Sequence, residues 1–372
     1  MKILHIITGL GQGGAEGALF RLVKATPETD HMVISLSGEG YWGPRLRTLG
    51  VQVVTCKGFR RLYRVYHLIR AEKPDVMQTW MYHADFLGGL ASRILGIPVI
   101  WGIRNSTLDR VKSSLSTRVI VKICAFLSDY IPEAIVCCSH NAAIIHGRIG
   151  YQTKKFEIIS NGYDLNDFHP DTNARRYIRK LWDLEDEEFV IGTVARWDPQ
   201  KDHPTLLRGL RAVCNMGIPF MCVLVGTGMT DQNAELVSLI SSLGLSRHIL
   251  LVGPRSDISE IMNSLDLHVL SSAYGEAFPN VLAEAMACAT PCVTTDVGDA
   301  AMIVDDLGWI VPVGAPEQLA LAIGNAYGKF RDSGEYEELR LNCHRSIAAR
   351  FSIDDMANHY KRIWEFYMRE SW

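Results

Sequence analysis

Lys2-Ile-Leu-His-Ile-Ile7, followed after one residue by Gly9-Leu-Gly11-Gln-Gly13-Gly14, is an isoleucine-rich run that breaks into a glycine-rich turn. The run has the length and composition of a buried strand, and the residues after Gly14 have helical spacing, so the chain opens as strand, turn and helix. The same alternation recurs with runs at residues 31–36, 51–56, 76–79, 99–102 and 135–138. It restarts after Asp164 with runs at 190–194, 220–225, 249–252, 267–270, 291–295 and 310–313. Strands that alternate with helices predict parallel, doubly wound sheets, and the restart predicts two of them. The fold class is therefore α/β, with one Rossmann-like domain over residues 1–163 and a second over 164–352. Ser160-Asn161-Gly162-Tyr163-Asp164 has turn chemistry and marks the hinge. Met356, Tyr360, Ile363, Trp364 and Tyr367 recur at helical spacing in the last segment. That helix, 353–372, is expected to cross between the domains and pack back on the first.

The chain has 372 residues, 48% of them hydrophobic and 21% charged, which suits two ordinary folded domains. No stretch reaches the roughly 18 uncharged apolar residues of a membrane span. Residues 87–103 come nearest and are broken by Arg93, Gly96 and Pro98, so they read as a helix, a turn and a strand. The first run meets glycines too soon for a signal peptide, and a cytoplasmic location is expected. Nine cysteines without a Cys-x-x-Cys pair point to small core residues rather than a disulfide framework or zinc.

The net charge of −3 conceals an asymmetry. Residues 1–160 carry 20 Lys and Arg against 11 Asp and Glu, a surplus of nine, while the remainder carries 18 against 30. One basic cluster comprises Lys57, Arg60, Arg61, Arg64 and Arg70. A second, Arg104, Arg110, Lys112, Arg118 and Lys122, has Asp109 as its only acid. It shares a helical segment with Val111, Leu115, Val119, Ile123, Phe126 and Leu127. Such a basic amphipathic pattern suits an anionic lipid surface on the inner face of a membrane, and equally a solvated helix face. Neither cluster carries a nucleic-acid-binding motif, and no nucleic-acid partner is expected.

Gly9 to Gly14 matches the G-x-G-x-x-G spacing of a dinucleotide turn, which leaves an NAD-dependent oxidoreductase open, with Glu39 as its ribose acid. In the second half, Val194-Ala-Arg196-Trp-Asp-Pro-Gln-Lys201-Asp-His203 puts two cations on the loop beyond a strand's carboxyl end. Open α/β sheets bind ligands there, and Arg with Lys matches the charge of a diphosphate. Leu224-Val-Gly226-Thr-Gly228 and Leu251-Val252-Gly253-Pro-Arg255 end two further strands in glycine, which permits close backbone approach. Tyr274-Gly-Glu276-Ala277-Phe278-Pro279-Asn280-Val281-Leu-Ala-Glu284-Ala-Met-Ala287 then sets two glutamates eight positions apart across a loop running into a helix. With Pro279 at the first helical position, the N–H groups of Asn280, Val281 and Leu282 would face an anion, flanked by carboxylates that suit sugar hydroxyls.

Gly13-Gly14-Ala15-Glu16, Asn161-Gly162-Tyr163-Asp164, Val194-Ala-Arg196 with Lys201, Leu224 to Gly228 and Glu276 to Glu284 occur in the order typical of one family. Across nearly its whole length the chain resembles the retaining glycosyltransferases of family 4, the glycogen-synthase and mannosyltransferase-like group 1 enzymes. The resemblance implies the GT-B fold, with two Rossmann-like domains facing each other across a cleft. It implies that Arg196 and Lys201 hold the donor diphosphate, that Glu284 holds the ribose, and that Glu276 faces the transferred sugar. Gly226, Val252, Gly253, Arg255, Ala277, Phe278, Asn280 and Val281 would complete the donor site. From the first domain, Gly13 and Gly14 would close over the diphosphate on hinge closure, and His83, in a loop after the run at 76–79, would stand beside the sugar. Arg104 and Asn105 are candidates for the acceptor.

The chain departs from the family pattern at Ala277, often glycine, and around Lys201, where Trp197-Asp198-Pro199 before it and Asp202-His203 after it differ from the commonest Lys-Gly ending. The expected reaction moves a hexosyl unit, first choice N-acetylhexosamine from its UDP-sugar, then UDP-hexose or GDP-mannose. The expected acceptor is a lipid-linked glycan of bacterial surface polysaccharide, whether O-antigen, capsule or exopolysaccharide. No Asp-x-Asp occurs, so neither a metal nor another cofactor is expected. A non-catalytic sugar-nucleotide-binding protein is the remaining alternative.

Overall fold

The computed structural model describes residues 1–58, 60–106 and 115–370. Contacts divide the chain into two compact units, Met1–Gly162 with Ile353–Trp372, and Tyr163–Ser352.

Among the described residues the first unit holds seven strands: β1 (Lys2–Ile7), β2 (Asp30–Ser35), β3 (Gln52–Thr55), β4 (Val76–Trp80), β5 (Val99–Ile103), β6 (Ala134–Cys137) and β7 (Phe156–Ile158). Their order is β3-β2-β1-β4-β5-β6-β7, and every pairing is parallel. In β1 the pleat sends Ile3 and Ile7 to one face and Leu4 and Ile6 to the other, and all four are buried. Helices must therefore cover both faces. One cover is the terminal helix Ile353–Glu370, which buries Met356, Tyr360 and Trp364 against Ile3, Ile7, Val33 and Trp80. Its Trp364 indole donates to Gln78 Oε1 at 3.3 Å. β7 is not foretold by the sequence. It has only three residues at the sheet's edge, two of them exposed, so no apolar run announces it.

The second unit holds β8 (Val190–Val194), β9 (Met221–Val225), β10 (Ile249–Gly253), β11 (Leu267–Leu270), β12 (Cys292–Thr295) and β13 (Trp309–Val311), ordered β10-β9-β8-β11-β12-β13 and again parallel. The polar stretch before β8 contains a helix, Thr172–Leu181, capped by the Asp171 carboxylate, which accepts from the N–H groups of Asn173 and Ala174. Arg175 and Arg179 tie that helix to the buried Asp266 at 2.6 Å each.

Both sheets reverse their winding between the first and fourth strands, at β1/β4 and at β8/β11. Ligands of such sheets settle at this switch point, beyond the strands' carboxyl ends. The loops there follow β1 and β4 in one unit, and β8 and β11 in the other. They carry the glycine turn, the cation pair and the Glu276 segment, and His83 lies in the first turn of the helix that follows β4.

Residues 87–103 form the end of the helix Tyr82–Leu95 and β5, as expected. All nine cysteines are free thiols, eight of them buried. Among the described residues, no helix is long and apolar enough to cross a membrane. In the second basic cluster, Asp109, Arg110, Val111 and Lys112 lie outside the described residues. The helix Leu115–Leu127 buries Val121, Cys124 and Ala125, while Leu115, Val119, Ile123 and Phe126 are exposed by 72%, 50%, 38% and 71%. Four apolar side chains spaced by four, four and three thus form a stripe facing water.

Candidate active site

Beyond β8 the backbone stays pinned to the tail of β9, with Ala195 N–H donating to Val225 O at 2.9 Å and Trp197 N–H to Thr227 O at 2.8 Å. Gly226 makes this possible. At φ +141° its Cβ would stand 2.2 Å from Ala195 O, so no larger residue fits. Arg196 projects from the pinned segment, half exposed, and its guanidinium meets Asp198 at 3.1 Å and Gln200 at 3.3 Å. Buried His203 stacks on Trp197, centroids 5.3 Å apart, and bonds Arg196 O through Nε2 at 2.9 Å. Burial holds its pKa below the ordinary imidazole value, so the neutral ring donates that bond.

Lys201 ends a 3₁₀ turn, Pro199–Lys201, capped by Asp198. Asp202, where the family pattern favours glycine, takes the left-handed conformation at φ +45° that glycine would supply. Its carboxylate then caps the helix His203–Asn215, accepting from Thr205 N–H and Oγ1. The departure therefore preserves the turn and adds a cap.

Lys201 Nζ reaches Glu276 Oε1 at 2.5 Å, and Ser272 Oγ donates to the same oxygen at 2.7 Å. Thr295 Oγ1 holds Ser272 O at 2.6 Å, and Ser271 Oγ holds Lys201 O at 2.8 Å. Glu276 is buried rather than displayed on a surface loop. Gly298, at φ +61°, lies so close beneath it that a Cβ would be 2.2 Å from Glu276 O. Ala277 is buried outside the left-handed region, so nothing at this position requires the family's glycine.

Pro279 corrects the expectation for the helix end. Its backbone is extended (φ −70°, ψ 96°), so it is the N-cap of Asn280–Ala287, and Leu282 N–H donates to Pro279 O at 3.1 Å. Of the three expected donors, Leu282 therefore drops out. Asn280 Oδ1 accepts from the Tyr163 hydroxyl at 2.5 Å. Glu284, half-buried, sits in the second turn. Val252 and Gly253 end β10. Gly253 O accepts from Gly226 N–H, and its N–H donates to Met229 O, both at 2.8 Å. Arg255 turns its guanidinium fork onto Asp257, at 2.8 and 2.5 Å.

In the first unit, Gly13 precedes the helix Gly14–Ala25, and a Cβ on it would meet the Glu16 carboxylate at 2.3 Å. Burial raises the pKa of Glu16. His83 is not in a loop. It is the second residue of the helix Tyr82–Leu95, because Met81 turns the chain at φ +74°, a costly angle for a residue with a side chain. Half-burial, then the charge of Arg61, lowers the His83 pKa. Asp85 fastens this turn to the strand ends. Its Oδ1 accepts from Thr79 Oγ1 at 2.6 Å and Gly102 N–H at 3.4 Å, and burial pushes its pKa up to about 7.

Arg104 is engaged by the protein. Its guanidinium donates to Asn161 Oδ1 at 2.7 Å and to the Tyr360 hydroxyl, and lies 4.6 Å over the Trp80 ring. Asn105 follows it, half-buried. Sequence reasoning misses the parts that Met81, Asp85, Tyr163 and Ser272 play. Of these, Asp85, two residues after His83, and Tyr163, within the Asn-Gly-Tyr-Asp turn, stand in segments whose motifs point to the site.

Residues 12–167 match the family model described as glycosyltransferase family 4, and residues 175–328 match that described as glycosyl transferases group 1. An Escherichia coli UDP-Gal:alpha-D-GlcNAc-diphosphoundecaprenol alpha-1,3-galactosyltransferase is 24% identical over 323 residues, covering 85% of this chain and 82% of that protein. The capsular polysaccharide biosynthesis glycosyltransferase CapM of Staphylococcus aureus is 23% identical over 320 residues, covering 84% and 82%. Among solved structures, Anabaena Alr3699/HepE in complex with UDP superposes with a TM-score of 0.87 at 21% identity, over 98% of this chain and 100% of that one.

Proposed function

Because the chain belongs to the family 4 glycosyltransferases and has their GT-B fold, we propose that it moves a hexosyl unit from a UDP-sugar to a lipid-linked glycan in bacterial surface polysaccharide assembly. Family membership displaces the oxidoreductase reading of Gly9 to Gly14. The observation that carries the proposal is the pairing of Lys201 with Glu276 at the β8/β11 switch point, with Arg196 on the same loop as Lys201 and the helix end at Asn280 four residues after Glu276. HepE was solved in complex with UDP, and the E. coli relative is named for a sugar on diphosphoundecaprenol, which supports both substrate classes.

Arg196 and Lys201 would neutralise the departing diphosphate, aided by the N–H groups of Asn280 and Val281, as preorganised charge that needs no metal. Glu284 would take the ribose and Glu276 the sugar, with Gly226, Val252, Gly253, Arg255, Ala277 and Phe278 around the donor. Gly13, Gly14 and His83 would approach from the first unit. To bind an acceptor, Arg104 would have to leave Asn161 and Tyr360, so Asn105 is the better contact. Attack on the same face by the acceptor hydroxyl, assisted by the leaving diphosphate, would retain anomeric configuration. The apolar stripe Leu115, Val119, Ile123 and Phe126 with Arg118 and Lys122 would rest on anionic lipid at the inner face of the membrane.

A thermal-shift panel of UDP-N-acetylhexosamines, UDP-hexoses and GDP-mannose tests the donor, since a ligand at 100 times its Kd stabilises by about 2.7 kcal/mol. Nuclear magnetic resonance of the product tests retention, and transfer in the presence of a chelator tests metal independence. A chain that none of these nucleotides stabilises would refute the donor assignment. Binding without transfer or hydrolysis would favour the non-catalytic reading.

A further inference from the structure

Phe278, midway between Glu276 and Asn280, is held by residues at the two ends of the second unit. Tyr163, the unit's first residue, stacks on it with centroids 6.5 Å apart and planes at 23°. Phe351, next to the last, meets it edge-on at 5.3 Å and 77°. The two holders are joined to each other, because Tyr163 N–H donates to Phe351 O at 2.9 Å and Tyr163 forms a parallel bridge with Ser352. Tyr163 is wholly buried, and its hydroxyl lies 2.5 Å from Asn280 Oδ1, on the first residue of the helix Asn280–Ala287. A buried phenol without its partner would cost about 1–3 kcal/mol, so this bond fixes the position of the Asn280 side chain.

We propose that Tyr163 is a positioning residue for the sugar-nucleotide donor: its hydroxyl sets Asn280, and its ring, with Phe351, sets Phe278, so the backbone from Glu276 to Val281 is held ready for the diphosphate. The inference rests on the donor reading of that segment given above. A long aromatic clamp suits the task because a ring has few rotamers to lose, whereas the segment it braces is loop on one side and helix end on the other.

The test compares wild type with Tyr163→Phe, which keeps the ring and removes only the hydroxyl, using UDP binding by calorimetry and steady-state kinetics with the best UDP-sugar. The expected result is a rise of about tenfold in the Kd for UDP and in the donor KM, with kcat and acceptor KM within about threefold of wild type. Asn280→Ala breaks the same bond from the other end and should reproduce the rise, and the double variant should be no worse than Asn280→Ala alone. A lowered melting temperature with unchanged donor KM and UDP affinity would mean a merely structural hydroxyl and would overturn the proposal. So would independent, additive effects in the double variant. A wild-type protein that binds no nucleoside diphosphate would overturn the donor reading itself, and this assignment with it. Tight wild-type binding beside an equally tight variant would overturn this assignment alone.

Discussion

Lys201 Nζ lies 2.5 Å from Glu276 Oε1, 75 residues along the chain, with only 13% and 10% of the two side chains exposed. Each charge is thus neutralised by the other, and a diphosphate entering beside Lys201 would offer that ammonium a second partner. Removing one member of such a pair leaves the other buried without its counter-charge, at about 3–5 kcal/mol.

Lys201→Ala should accordingly lower both stability and turnover, with kcat falling by about 10²–10³, or roughly 3–4 kcal/mol of transition-state stabilisation. Adding Glu276→Gln should recover much of the melting temperature without recovering kcat, because it removes the stranded carboxylate but restores no cation. Turnover of the single variant equal to wild type would sink the assignment of Lys201 to the leaving group.

Gly298→Ala should act on the same segment from below. The new Cβ would stand 2.2 Å from Glu276 O, and the left-handed φ of +61° disfavours any side chain. We expect a stability loss of about 1–3 kcal/mol and a UDP affinity reduced about tenfold or more, as the carbonyl is forced away. Calorimetric titration with UDP reads this directly, and an unchanged Kd would show that the segment tolerates displacement.

Acid should destabilise the first unit through a chain of hydrogen bonds with one permitted direction. The Trp80 indole can only donate, to His5 Nδ1 at 3.2 Å. His5 Nε2 must then donate to His31 Nδ1 at 3.0 Å, His31 Nε2 to Thr26 Oγ1 at 2.7 Å, and Thr26 to Leu22 O at 2.8 Å. Both rings are neutral in this arrangement. Burial lowers the His31 pKa to about 4, against the weaker pull of the Thr26 backbone, Asp30 and Glu28, and holds His5 well below 6.5. A folded pKa below the unfolded one means stability is complete above about pH 6.5 and is lost as pH falls toward 4, by up to about 1.4 kcal/mol per pH unit for each histidine. Urea midpoints measured from pH 7.5 to 5 should fall, and His31→Gln should flatten the slope.

Arg179→Ala should unfold the second unit more readily without touching the site. Asp266 is wholly buried and accepts from Arg175, Arg179 and Val190 N–H, at 2.6, 2.6 and 2.8 Å. Losing the buried Arg179 should cost about 3–5 kcal/mol in chemical denaturation. Donor KM of the surviving folded protein should stay near wild type.

Membrane docking is tested by Val119→Glu with Phe126→Glu, two exposed positions whose change should leave the melting temperature intact. Wild type should float with anionic vesicles at low salt and detach near 0.1 M, where the Debye length shrinks to about 10 Å. The variant should not float at either salt, while donor KM is unchanged. Wild type that never floats would point to an acceptor reached without the membrane.

The strands are legible in the sequence because parallel strands covered on both faces are continuous apolar runs. Runs such as 190–194 and 267–270 coincide with β8 and β11, and the others differ from their strands by a residue or two at the ends. β7 escapes because an edge strand of three residues has no such run. His83 reads as a loop residue because no local signal foretells that Met81 will adopt φ +74° and start the helix at Tyr82. Pro279 sits one position further out than its sequence suggests, since proline serves equally at the N-cap and the first turn and only ψ separates them.

The sequence alone determined the two-sheet α/β class, the family and the residue types at the candidate site, because each is written in a local run: a strand, a glycine turn, two cations on one loop, two glutamates eight apart. Tertiary structure decided what those residues do to one another. It paired Lys201 with Glu276, 75 residues away, and closed Arg104 onto Tyr360, 256 residues away. It also put Tyr163 under Asn280. Such contacts depend on strand order, register and the packing of whole helices, so no window of the chain contains them.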